Sequence, residues 1–284
     1  MSMIKLQYIG TGAAEGFPGM FCHCPACERA RKLGGRNLKT RSCAMINDRI
    51  LIDLSPDLYA QSIGLGLKLW EVKDLVMTHS HCDHFDAFSV ALRARDGASV
   101  IPGMPEEENY ISIYGSRFIE RAVEQALRDQ PHADRKRLKY VPVESGTWFQ
   151  AGGVDFYPLK ANHKPDELCY IYAVVSGGAS LLYANDTGRL LEETVREIGS
   201  LGIVFDAVSM DCARGTLPGD GHMGINENLE LKEQLIQMNC VNEETKYYLN
   251  HLSHMSGITH DDLQMIMGPK GFTVAHDGLV LEIG

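Results

Sequence analysis

Six consecutive residues, His79-Ser80-His81-Cys82-Asp83-His84, gather three imidazoles and a carboxylate into one short run. Neutral imidazole and carboxylate are donors that divalent zinc, manganese and iron accept. The run follows Asp74–Thr78, which reads as a short buried strand. A loop leaving a strand can turn several side chains inward at once, and active sites favour that place. Three further candidates each follow a strand-like run: His163 after Val154–Lys160, Asp186 after Ser180–Asn185, and His251 after Thr245–Asn250. One such histidine alone would read as a structural hydrogen-bonder, and the first run alone as a polar loop rich in histidine. Together they make a constellation able to hold metal.

A second group, Cys22-x-Cys24-x-x-Cys27, brings three thiols together near the N-terminus. A structural zinc takes four closed ligands, so one must come from elsewhere in the chain. His23 lies between two of the cysteines and is badly placed to join them. His254, three residues after His251, is the better fourth ligand. The plainer alternative is three separately buried cysteines.

The elements that must position these residues follow from periodicity. Further strand-like runs appear at Ile4–Ile9, Arg49–Asp53, Cys169–Val175, Asp206–Met210 and Leu279–Ile283. Helical patterns fall between them. Ser55-Pro56 reads as an N-cap and first helical residue, with Leu58 and Ile63 inward. His84 to Arg95 carries Phe85, Phe88 and Leu92 on one face. Ser116 caps a pattern to Asp129 with Ile119, Val123 and Leu127 inward. Leu191, Val195 and Ile198 form another stripe, as do Leu231, Leu235 and Met238. Met265 and Met267 read as helix core. Strands both adjacent and alternating with helices predict sheets sandwiched between helical layers, an α/β fold.

Composition bounds the rest. The 284 residues carry a net charge of −10, which argues against broad attraction to nucleic acid or anionic membrane. The start, MSMIKLQYIGTG, has no long apolar stretch of a signal peptide, and no apolar run approaches the ~20 residues that span a bilayer. A cytoplasmic, reducing location is therefore expected, where eight cysteines are better read as ligands than disulfides. No linker divides the chain, so residues 1–284 are expected to form one domain. The basic run Arg29, Arg31, Lys32, Arg36, Lys39 and Arg41 reads as a solvated face, with steering of an anionic substrate as the alternative. Gly10-Thr11-Gly12 lacks the phosphate-loop pattern and reads as a tight turn entering the site. Alternation should turn Cys82 away from any metal.

The order HxHxDH, then His, then Asp, then His resembles the metallo-β-lactamase superfamily over nearly the whole chain, including Leu51-Ile52-Asp53 and Asp186-Thr187-Gly188. That resemblance implies an αββα sandwich. It implies one metal on His79, His81 and His163, a second on Asp83, His84 and His251, and Asp186 bridging them. Two divalent ions with Asp83 and Asp186 as the only anionic protein ligands leave a net positive centre, suited to a phosphodiester. Zinc or manganese would fit, lowering the pKa of bound water so that hydroxide forms near neutral pH. His84 beside Asp83 sets the chain apart from one-iron dioxygenase relatives.

GTGAAEGFPGMFCHCPAC, Arg41-Ser42-Cys43 and His251-Leu252-Ser253-His254 are similar to the phosphoribosyl 1,2-cyclic phosphate phosphodiesterases. PqqB-like proteins share this cysteine knuckle. The resemblance adds an active-site histidine, His222 in Gly221-His222-Met223-Gly224, which could protonate a leaving oxygen or hold a phosphoryl oxygen. His222 and Asp83 are thus the expected catalytic pair, the alternative for His222 being a surface loop. The expected reaction opens a small anionic cyclic phosphodiester. Rivals are an RNA-processing nuclease of the same superfamily and a non-hydrolytic PqqB-like carrier. The region Ala98 to Tyr140 reads as a family-variable insertion that could line the cleft or a homodimer contact.

Overall fold

The computed structural model describes residues 3–128, 130 and 132–284. The first half of the chain runs β1 (Ile4–Gly10), α1 (Pro25–Leu33), β2 (Cys43–Ile46), β3 (Ile50–Ile52), α2 (Leu58–Leu65), β4 (Asp74–Val76), α3 (Ala87–Ala94), β5 (Ile111–Gly115), α4 (Arg117–Arg128) and β6 (Leu138–Pro142). The second half runs β7 (Phe149–Ala151), β8 (Val154–Lys160), β9 (Tyr170–Ser176), β10 (Ala179–Ala184), α5 (Glu192–Ser200), β11 (Ala207–Asp211), α6 (Ile225–Gln237), β12 (Lys246–Asn250), α7 (His260–Met267), β13 (Phe272–Val274) and β14 (Val280–Ile283). Two seven-stranded sheets result, ordered β14-β1-β2-β3-β4-β5-β6 and β13-β12-β11-β10-β9-β8-β7.

The sheets face each other across one apolar layer. Ile4, Leu6, Ile46, Ile52 and Val76 of the first meet Phe156, Tyr172, Val174, Leu181 and Tyr183 of the second. Alternation sends the other face of each strand outward. Ile9, Leu51, Leu75 and Ile113 pack under α3 and α4 with Val90, Ile119 and Val123. Leu182, Val208 and Leu249 pack under α5, α6 and α7 with Ile198, Leu231 and Leu263. The fold is the expected αββα sandwich.

The long strands lie within a residue or so of the expected runs, and Val154–Lys160 coincides. The strands that sequence reading passes over, β2, β5, β6, β7 and β13, have 3 to 5 residues each, too few for alternation to register. Two of them, β5 and β6, lie in the 98–140 segment and pair in parallel as the edge of the first sheet. The helix expected there runs to Arg128, and Asp129 lies outside the described residues.

Three helix faces differ from expectation. The pattern starting at His84 becomes helical only at Ala87, because Asp86 caps the amides of Phe88 and Ser89. The buried face is therefore Val90, Ala91 and Ala94, and Phe88 is exposed. In α2 the helix begins at Leu58 instead of Pro56, and Ile63 faces solvent. Met267 is buried but Met265 is exposed, since two residues along a helix turn a side chain to the far side.

Candidate metal centre

The sandwich brings the ends of β4, β8, β10, β11 and β12 to one rim. Three residues within two positions of a strand end, Asp53, Asp186 and His251, take left-handed backbone conformations with φ of 66°, 53° and 58°. Such a conformation costs a non-glycine residue about 1–2 kcal/mol, so the surrounding bonds must hold it. The turn reverses the chain at the strand end and aims the side chain into the rim.

Every expected active-site residue arrives there. His79, His81, His163 and Asp186 offer donor atoms all within 4.8 Å of one another, and so do Asp83, His84, Asp186 and His251. Asp186 belongs to both sets. Its carboxylate oxygens lie 3.2 Å from His79 Nε2, 2.9 Å from His84 Nε2, 3.1 Å from His163 Nδ1 and 3.6 Å from His251 Nε2. Donors about 2.0–2.2 Å from one tetrahedral ion stand roughly 3.3–3.6 Å apart, so the spacing fits. Buried His79 Nε2, His84 Nε2 and Asp186 Oδ1 have no hydrogen-bond partner. Buried polar atoms are nearly always satisfied, and a cation shared among these would satisfy all three.

Charge agrees with this. Burial lowers the pKa of His79, His81 and His251, keeping them as neutral ligands. Burial opposes ionisation of Asp186, yet the imidazoles of His251 and His79 hold its carboxyl well below the usual range. His84 runs the other way. Burial disfavours its charge, but Asp53 and Asp83 raise its pKa, so metal binding there displaces a proton.

A supporting layer fixes the rings. Asp53 accepts from His84 Nδ1 at 2.7 Å, leaving Nε2 bare toward the site. Thr78 Oγ1 donates to Asp53 and stands 2.9 Å from His79 Nδ1, which fixes that ring the same way. Buried Glu167 accepts from the Ser80 amide and hydroxyl, both at 2.7 Å, and pins the loop. Sequence reading assigned none of these roles; Asp53, after its strand-like run, sits where the ligands sit and carried the same signal. Asp53→Asn should keep the backbone turn but lower metal affinity or activity roughly 10–100-fold. Metal titration of the two proteins checks this, and equal affinities would contradict it.

His222 stands beside the cluster, its Nδ1 2.9 Å from Asp211 Oδ2 and 3.3 Å from Asp186 Oδ1. Asp211 is fully buried and also accepts from the amides of Ala213 and Met223, so it cannot turn away. Burial disfavours the imidazolium, but Asp211, Asp186 and Asp83 raise the pKa of His222 to about 9. Cations held by Asp186 and Asp83 would offset those two, leaving Asp211 as the lasting partner. The cleft encloses about 250 Å³ and is lined by His81, Asp83, His163, Asp186, His222 and His251, with Glu15 and Arg214 at its wall. Among the described residues none from 98–140 lines it.

A sequence profile of the beta-lactamase superfamily domain matches residues 48–242, more than half of the chain. The chain belongs to the metallo-β-lactamase superfamily. An octanoyltransferase from Porphyromonas gingivalis (strain ATCC BAA-308 / W83) is 26% identical over 163 residues, 55% of this chain and 30% of that protein. The chain thus spans under a third of that relative. A diphosphatase of the PhnP family superposes with a TM-score of 0.74 at 20% identity, covering 99% of this chain and 97% of its own. Zinc-bound PqqB from Methylobacterium extorquens gives 0.70 at 17% identity, covering 98% and 99%. The short form of human tRNase Z gives 0.61 at 15%, covering 99% of each chain. At these identities the likeness is one of fold.

The cysteine knuckle assembles beside the superfamily's metal rim. Cys22, Cys24, Cys27 and His254 offer donor atoms within 4.8 Å of one another. His254 Nδ1 lies 3.4 Å from Cys22 Sγ and 3.7 Å from Cys24 Sγ. The Cys27 amide and then His254 lower the Cys24 thiol to about 6, whereas burial pushes Cys27 up to about 12. His23 is exposed and lies near Glu28, outside the cluster. The Ala13 amide donates to the Leu252 carbonyl and the Leu252 amide to the Thr11 carbonyl, which ties the loop before the knuckle to the segment carrying His251. At Gly10 a side chain would collide with the Arg41 carbonyl, which is why the entering turn needs glycine there.

The basic run does not reach the cleft. Arg29 pairs with Asp262, Arg31 with Glu28 and Arg41 with Asp57, and Lys39 is buried against the Ala275 carbonyl. Arg214 is the arginine that lines it. Cys82 is exposed and outside both clusters. No helix among the described residues is long and apolar enough to cross a membrane.

Proposed function

We propose that the chain is a phosphodiesterase that opens a small cyclic phosphodiester. The observation that carries the reading is Asp186, shared by two donor sets with His222 against its carboxylate. In this reading His79, His81 and His163 hold one zinc or manganese ion, Asp83, His84 and His251 the other, and Asp186 both. Bound metal would supply Lewis acidity and water activation near neutral pH. The protein's own work is to hold the two sets in register, exclude bulk water from a narrow cleft and present a proton. Asp211 accepts a hydrogen bond from Nδ1–H of His222, leaving Nε2–H as the group that gives a proton to the departing ribose oxygen. Asp83 contributes as a ligand and as a fixed negative charge near His222.

A cleft of about 250 Å³ lies at the small end for ligand sites and suits a sugar phosphate. The net charge of −10 and a basic run that does not line the cleft count against an RNA-processing nuclease. A cytoplasmic location accords with the free cysteines. The test is to strip the protein, reconstitute it with zinc, manganese or nickel, and assay phosphoribosyl 1,2-cyclic phosphate, 2′,3′-cyclic nucleotides, bis-nitrophenyl phosphate and precursor tRNA. Turnover of a cyclic phosphodiester supports the reading. Cleavage of precursor tRNA alone would favour the nuclease, and no turnover with any metal would favour a carrier.

A structural zinc in the knuckle belongs to the same reading. Cys24→Ser should lose one zinc per chain and lower the melting temperature, because a closed zinc site contributes folding free energy. Unchanged zinc stoichiometry would mean that the thiols are merely packed.

A further inference from the structure

Away from the metal cleft, the outer helices do not close fully on the first sheet. A cavity of about 210 Å³ lies beneath α2 and α3, walled by Leu51, Leu58, Leu69, Leu75, Val90 and Ile113. It continues past Leu69 and Arg93 toward Trp70 and Val100. Tyr59 forms part of its wall and is 78% exposed, so the space opens through an apolar lip. Trp70, which lines its extension, is also exposed, and exposed aromatics together at a cavity mouth mark a binding surface.

Two polar side chains interrupt this lining, Ser89 and Arg93, both on α3. Arg93 Nη2 donates to Asn109 Oδ1 at 3.0 Å, but Nη1 is shut from water and meets no acceptor. A guanidinium left short of a partner in an apolar wall is costly, and a carboxylate matches its fork.

We propose that this cavity is a binding site for a medium-chain alkyl carboxylate, its tail among the Leu and Val side chains and its head on Arg93 and Ser89. A dry cavity of about 150 Å³ holds benzene, so about 210 Å³ takes a chain of roughly eight carbons. A phosphate head carries more charge than one guanidinium offsets, and the enclosed shape suits a single chain better than a helix. The site is separate from the metal cleft and needs no phosphodiesterase activity.

The test is calorimetric titration of the metal-loaded full chain with hexanoate, octanoate and decanoate, beside octanol, acetate and inorganic phosphate. Octanoate should bind saturably at one per chain and raise the melting temperature, with acetate and phosphate silent. Octanol should bind at least roughly tenfold more weakly, as expected for loss of a charged hydrogen bond. Arg93→Gln should erase that preference and leave octanol binding unchanged. Val90→Phe, which fills the cavity, should abolish both, with circular dichroism showing the fold intact. The proposal is overturned if octanoate shows no saturable binding, if acid and alcohol bind equally to the native protein, or if a folded Val90→Phe protein binds octanoate as before.

Discussion

Asp186→Ala should reduce bound metal below the native stoichiometry and bring phosphodiester turnover to background. Asp186 is buried, and His79, His84, His163, His222 and His251 all approach its two oxygens within 3.6 Å. Removing it deletes a ligand from both donor sets and the main negative charge that the surrounding rings face. The backbone there is left-handed, so alanine adds about 1–2 kcal/mol of strain that aspartate tolerates better. Asp186→Asn therefore serves as the companion variant, since asparagine accepts that conformation and keeps the shape. Both variants should retain the native circular dichroism, and both should fail in metal analysis and turnover. Full activity in either would sink the two-metal assignment.

His222→Ala should lower kcat by roughly 10²–10⁴-fold, the usual range for general acid–base catalysis. Metal content should stay native, because the two sets that share Asp186 each have four donors without His222; a loss of metal would instead make His222 a ligand, as its place within 4.8 Å of Asp186, Asp211 and His251 allows. The loss should be smaller for a nitrophenyl ester, whose leaving group needs little protonation, than for a ribose alkoxide. Equal losses would retire the acid role and leave one in holding the phosphoryl group. Native kinetics on every substrate would remove His222 from the site. The pH profile gives a second check. With Asp186 and Asp83 offset by bound cations, Asp211 is what favours the imidazolium of His222, and the ring loses its proton as pH rises. Activity should therefore fall on the alkaline side. Asp211→Asn should move that fall to lower pH, since it removes the carboxylate that favours the charged ring.

The residues that gather at the rim were legible because each is written into the chain beside its strand. His79 to His84, His163, Asp186 and His251 all follow runs whose β-branched and aromatic content announces a strand, and a strand end is where a site can form. The four knuckle ligands were legible for a similar reason, three by spacing and His254 by its distance from His251. The helix faces were less so. Phe88, Ile63 and Met265 are apolar at plausible spacing, yet face solvent, because caps at Asp86 on α3 and Thr259 on α7 and the packing of the helices on the sheets set the helix phase. A hydrophobic residue predicts burial only once that phase is fixed.

The sequence by itself determined the donor types, their order along the chain and the alternation that sorts strand residues between the two apolar layers. Those properties depend on local covalent order and on periods of two and 3.6 residues. Only the tertiary structure decided that Asp53 and Thr78 fix the tautomers of His84 and His79, and that Asp211 holds His222. It alone decided that Arg29, Arg31 and Arg41 of the N-terminal basic run are engaged in ion pairs and Lys39 in a buried contact, and that the short strands β5 and β6 complete the first sheet. Each of these joins residues far apart in sequence, and hydrogen bonds or ion pairs act over a few ångströms. Their existence depends on which strand ends the two sheets bring to the same rim.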